Sequence, residues 1–281
     1  MKKLFTANCI FILVLLGMQA IAGNVDTIQI QSSYLKKATK FVVIQPSNQG
    51  QQRNQLNTQA RYPVVYLLNG YDGNYAQWTK TAPQLAKTAD DLKMIFVYPD
   101  GGKSSWYFDS PTDSSMQYES YIIKELVPYV DANFPTKANP KSRAITGLSM
   151  GGHGALYLAI RHSDVFGAAG STSGGVDFRP FPNRWDIKKA LGEYESNKER
   201  WYEYTVMRQV ELLKNNQLAI IIDCGVDDIF ITVNRALHEK LLQLKIDHDY
   251  IERSGGHNHP YWRSSIDFQM LFFHQFFQKN I

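Results

Sequence analysis

Short runs of consecutive apolar residues recur along the chain, each closed by turn-forming residues: Tyr62-Pro-Val-Val-Tyr-Leu-Leu68, Lys93-Met-Ile-Phe-Val-Tyr98, Ser142-Arg-Ala-Ile-Thr146 and Leu218-Ala-Ile-Ile-Ile222. Runs of this length and uniformity suit strands covered on both faces. Ahead of them, Val25 to Tyr34 and Ala38 to Gln45 alternate apolar and polar positions, which predicts an antiparallel hairpin at a sheet edge. Gln49 to Arg61, rich in Gln and Asn, then reads as a loop. Helices are expected at about Ser114 to Phe134, Gly152 to His162, Thr232 to Lys245 and Ser264 to Gln278; in the third, Leu237, Leu241 and Leu242 recur on one face. This alternation predicts an α/β fold, a mostly parallel central sheet with helices on both faces. Val176 to Lys214 carries Pro180, Pro182, Trp185, Trp201 and Tyr202 without a strand signal, and reads as a short insertion over the carboxyl edge of the sheet. No internal repeat or second domain boundary is visible, so residues 23–281 are expected to form a single domain.

The first 22 residues are of another kind. Lys2 and Lys3 precede the apolar run Cys9 to Leu16, and Ala20-Ile-Ala22 is a small-x-small cleavage site, so this stretch reads as a signal peptide. The run is far short of the roughly 20 residues that cross a bilayer, which argues against a stable membrane anchor. Cleavage after Ala22 leaves 28 basic and 26 acidic side chains, a nearly neutral balance, and no basic run interleaved with aromatics supports nucleic-acid binding. It also leaves Cys224 as the one cysteine, so the mature chain has no internal disulfide even in an oxidising compartment.

Candidate chemistry begins at Gly147-Leu-Ser-Met-Gly151, a G-x-S-x-G match between a strand-like run and a helix-like run. That context is the strained strand-to-helix turn that lifts a serine hydroxyl above a sheet. A serine hydroxyl is a weak nucleophile at neutral pH and needs a base in reach and a carboxylate to orient that base. After such a turn the acid and then the histidine follow on loops behind later strands. Asp223-Cys-Gly-Val-Asp-Asp228 and Ser254-Gly-Gly-His-Asn-His259 stand in those places. Gly255-Gly256 lets the second loop bend back, which favours His257 as base over His259, whose neighbour Pro260 constrains it. His153 is expected to pack on the helix after the turn, and Asp223 to end its strand. Asp227 and Asp228 remain equivalent by position. Two histidines without further ligands at the usual spacing give no reason to expect a metal. Two backbone N–H groups should stabilise an oxyanion: that of Met150, after the serine, and that of Tyr71, where Gly70 permits a turn after the strand ending at Leu68.

Taken together and in order, Tyr66-Leu-Leu-Asn-Gly-Tyr-Asp-Gly73, Gly147-Leu-Ser-Met-Gly-Gly-His-Gly154, Asp223 to Asp228 and Gly255-Gly-His257 resemble the esterase D-like family of α/β-hydrolases. That family includes the feruloyl and acetyl esterases of carbohydrate esterase family 1, S-formylglutathione hydrolases and mycobacterial mycolyltransferases. The likeness runs from about Tyr62 through nearly all the mature chain. It implies the α/β-hydrolase fold, Ser149, His257 and Asp228 as the triad, Tyr71 and Met150 as oxyanion donors, no cofactor, and acyl transfer from an ester in two steps. Asn69 departs from the pattern, since many members carry His there. Ser105 to Asp109 with Tyr118-Glu119 resembles a loop that borders the cleft in sugar-active members. An exported enzyme would not meet the cytosolic thiol glutathione, which turns the expectation to small-molecule or oligosaccharide esters, with a feruloyl or acetyl group removed from polysaccharide. Trp106, Trp185 and Trp262, with Trp78, Tyr107 and Tyr261, are expected to rim the cleft, where flat rings stack on sugars or on an aromatic acyl group; packing is the alternative role. An exported acyltransferase with the same triad, and a non-catalytic carbohydrate-binding module, are the competing functions.

Overall fold

A computed structural model describes residues 23–47 and 60–280. The expected signal peptide and most of the Gln-rich loop lie outside these residues. Strands β1 (Asn24–Ser32) and β2 (Lys37–Gln45) form an antiparallel hairpin at one edge of a sheet, and β2 runs antiparallel to β4 (Ile95–Pro99). From β4 the sheet continues through β3 (Val64–Leu68), β5 (Arg143–Gly147), β6 (Ala168–Thr172), β7 (Ala219–Gly225) and β8 (Asp249–Arg253), with every neighbour parallel. The order is therefore β1-β2-β4-β3-β5-β6-β7-β8.

Parallel strands must be covered on both faces, and β3, β4, β5 and β6 are buried along their whole length. One face carries the helix Met150–Arg161 together with Val127–Asn133 and Ile231–Gln243. The other carries the short helices Gln77–Thr81 and Leu85–Leu92 and the C-terminal helix His259–Asn280. No helix among the described residues is long and apolar enough to cross a membrane.

The apolar pattern misses three features. β6 reads Ala-Ala-Gly-Ser-Thr, with nothing that marks a strand; small residues are needed there because the C-terminal helix lies close, and a Cβ on Gly170 would sit 2.4 Å from Gln269 Oε1. The helices Gln77–Thr81 and Leu85–Leu92 are too short to show a period. The C-terminal helix starts at His259, earlier than expected, because Pro260 falls in its first turn, where a missing N–H costs nothing.

Candidate active site

The turn from β5 into the helix Met150–Arg161 is tight because its glycines let the backbone close on itself. A Cβ on Gly147 would lie 2.4 Å from the backbone of Gly151, and one on Gly151 would lie 2.3 Å from the Leu68 carbonyl oxygen of β3. Ser149 sits between them at φ 57° and ψ −118°, a conformation that costs a non-glycine residue about 1–3 kcal/mol. Hydrogen bonds hold it there: its N–H donates to the Thr172 carbonyl at 3.0 Å, and its carbonyl accepts from His153 and Gly175 at 3.1 and 3.2 Å.

His257 Nε2 lies 3.0 Å from Ser149 Oγ, and His257 Nδ1 lies 2.9 and 3.0 Å from the two carboxylate oxygens of Asp228. Asp228 is buried and also accepts the Phe230 N–H at 2.8 Å, which orients its carboxylate. Asp227 is exposed, and its N–H donates to the Gly255 carbonyl at 2.9 Å, tying the acid loop to the histidine loop. Asp223 does not end its strand, since β7 continues to Gly225; it is fully buried and receives Ser265 Oγ at 2.6 Å and Arg253 Nη2 at 3.0 Å. His259 pairs with Thr81 Oγ1 at 2.8 Å and is the first residue of the C-terminal helix. His153 is buried between the carbonyls of Trp106 and Tyr204, at 3.1 and 2.9 Å from its two ring nitrogens. Cys224 is free and buried, and desolvation pushes its thiol pKa up.

After β3 the chain turns through Asn69, Gly70 and Tyr71. Gln77 Oε1 accepts the Gly70 N–H at 2.7 Å, and Asn69 Oδ1 accepts both the Gly101 N–H at 2.8 Å and the Tyr107 hydroxyl at 2.9 Å. Asn69 thus ties this turn to the loop after β4. Among the described residues the N–H groups of Tyr71 and Met150 have no protein acceptor, which leaves both for an incoming oxygen.

Residues 32–273 match the family described as "Putative esterase". The chain belongs to this esterase family. An acetyl esterase of Caldicellulosiruptor saccharolyticus is 25% identical over 255 residues, which are 85% of this chain and 94% of that protein. An esterase of Mycobacterium tuberculosis is 36% identical over 121 residues, 42% of this chain, and the match spans 26% of that relative's length. A solved ferulic acid esterase superposes with a TM-score of 0.76 at 26% identity, covering 91% of this chain and 99% of that one. The fold is that of the α/β-hydrolases.

In this family member the aromatic rim expected from sequence is mostly interior. Trp78, Trp106 and Tyr107 are at most 1% exposed, and Tyr261 and Trp262 are also buried, so none offers a free face to a sugar. Trp106 packs against His153 and Phe178, and Trp262 meets the edge of the His257 ring. Trp185, from the insertion between β6 and β7, alone keeps a partly open face; it leans on Phe230 and Phe181 at centroid distances of 5.0 and 5.3 Å. Phe230 in turn contacts the His257 ring at 5.3 Å. Sequence reasoning overlooks Phe230 and Gln77. Phe230 could have been found as an aromatic two residues after Asp228, whereas no sequence pattern marks Gln77, whose link to Gly70 exists only once the turn has formed.

Proposed function

We propose that this chain is an exported serine carboxylic-ester hydrolase that removes acetyl or feruloyl groups from polysaccharide. What carries the reading is the continuous hydrogen-bond path from Ser149 Oγ through the His257 ring to Asp228, with both outer contacts at about 3 Å. In this mechanism His257 Nε2 accepts the Ser149 proton as Oγ attacks the ester carbonyl. The Nδ1–H is held by Asp228, which fixes the tautomer and stabilises the imidazolium. The carbonyl oxygen, now anionic, takes hydrogen bonds from the N–H groups of Tyr71 and Met150. His257 then returns the proton to the leaving alcohol. Water repeats the cycle on the acyl-enzyme and frees Ser149.

Support for the acyl groups comes from the acetyl esterase relative and the ferulic acid esterase structure. Support for export comes from the basic, apolar and small-residue order of the first 22 residues. The test combines a fluorophosphonate probe with a panel of acetylated and feruloylated xylo-oligosaccharides and their p-nitrophenyl counterparts. Labelling of Ser149, its loss in Ser149→Ala, and a gain in kcat/KM from the sugar part are expected. One good stacking surface, Trp185, corresponds to about a fivefold gain. Labelling elsewhere with activity intact rejects the nucleophile, and equal rates with and without sugar reject the polysaccharide. Exported protein should begin at Gly23, and N-terminal sequencing that finds Met1 on exported, active material rejects cleavage.

A further inference from the structure

A cavity of about 500 Å³ opens between the β1–β2 turn, the loop after β4 and the insertion before β7, and its charge is one-sided. Lys36, Lys37, Lys103 and Lys189 line it, against one carboxylate, Asp186. These lysines come from three separate parts of the chain: the turn between β1 and β2 with the first residue of β2, the loop after β4, and the insertion before β7. Their convergence is therefore made by the fold and is not a local run of charge. It stands out in a chain whose whole formal charge is +4.

Lysines outnumber carboxylates in the cavity, although Asp186 also feels Lys103 and nearby Asp113 feels Lys36. Lys189 pairs with Asp186 at 3.1 Å. Lys36 donates to Ser114 Oγ at 2.9 Å, Lys37 donates to the Tyr118 hydroxyl at 3.3 Å, and Lys103 Nζ stands 5.7 Å from the Tyr71 ring centroid. Among the described residues none of these three forms an ion pair. The cavity is also joined to the candidate active site. Tyr71 donates its hydroxyl to Asp186 at 3.2 Å, and the Asp72 N–H donates to the Lys103 carbonyl at 2.8 Å. The turn that carries the Tyr71 N–H is thus hydrogen-bonded to two residues that line the space, Asp186 and Lys103.

We infer that this cavity is a subsite for an anionic group, the carboxylate of a sugar acid, on the carbohydrate part of the substrate. The inference rests on the ester-hydrolase reading, because acetyl and feruloyl groups are neutral and any charge must come from the sugar chain. Ammonium groups on flexible stems act as point charges, so the subsite selects for charge more than for shape. Each exposed contact is weak alone, and three acting on one anion correspond to about a tenfold preference at low salt.

The experiment measures binding of two xylo-oligosaccharides to the Ser149→Ala protein by calorimetry, identical except that one bears a glucuronic acid branch. The branched ligand is expected to bind about tenfold more tightly, and the difference to collapse near 1 M salt, where screening reaches about 3 Å. The same difference should vanish in Lys37→Ala/Lys103→Ala, which on the wild-type background keeps its p-nitrophenyl acetate turnover. Equal binding of the two ligands, a preference that ignores salt, or one that survives the double substitution overturns the inference. Glucose 6-sulfate and glucose 6-phosphate form a further arm, and tighter binding of either than of glucuronic acid overturns the carboxylate assignment. Because binding is read without turnover, absence of p-nitrophenyl acetate hydrolysis in the wild type defeats the esterase reading separately.

Discussion

The indole of Trp262 meets the imidazole of His257 edge-on, with ring centroids 5.0 Å apart and planes at 89°. Phe230 touches the same ring at 76°. The imidazole is therefore held by packing as well as by Asp228, and in the proposed mechanism, where His257 is the general base, rate falls quickly when its position loosens. Trp262→Ala is expected to lower kcat about tenfold with KM little changed, while Trp262→Phe, which keeps a ring edge, restores most of it. Steady-state kinetics with thermal unfolding of both variants checks this. A fall in stability with kcat intact would reduce Trp262 to a core residue.

The two adjacent carboxylates should separate cleanly. Asp228→Asn removes the charge that holds the His257 Nδ1–H and is expected to reduce kcat by orders of magnitude, on the order of 10⁴. Asp227→Asn alters an exposed side chain and keeps its N–H bond to Gly255, so its effect should be within about twofold, the range of an ordinary surface change. Turnover at saturating substrate decides, and a severe Asp227 defect beside a mild Asp228 one exchanges their roles.

His153 makes stability depend on pH. Burial pushes its pKa down to about 4, outweighing the two backbone carbonyls that favour the charged ring. In the unfolded chain the ring titrates near about 6.5. Above that value both states are neutral and stability is complete. As pH falls from about 6.5 to about 4 the unfolded chain takes up a proton that the folded chain refuses, and stability drops by about 3 kcal/mol in all. Unfolding midpoints at pH 7 and pH 5 should therefore differ more in the wild type than in His153→Gln. Parallel shifts in the two proteins would remove His153 as the cause.

Much of this protein is local in origin and so can be read along the chain. The buried runs of β3, β4, β5 and β7 stand out because a strand covered on both faces admits little but apolar residues. The elbow is visible because only glycine fits at Gly147 and Gly151, and His257 because Gly255 and Gly256 precede it. Other features depend on what the chain meets in space. β6 escapes the pattern because its small residues answer to the C-terminal helix about a hundred positions away. Asp227 and Asp228 are alike in sequence, and one peptide step decides which carboxylate turns inward to His257. The tryptophans carry no mark of depth: Trp106 and Trp262 became supports under the site while Trp185 kept an open face, because burial belongs to the packed layers. The lysine cluster around Asp186 is tertiary altogether, assembled from three segments that meet only in the packed fold.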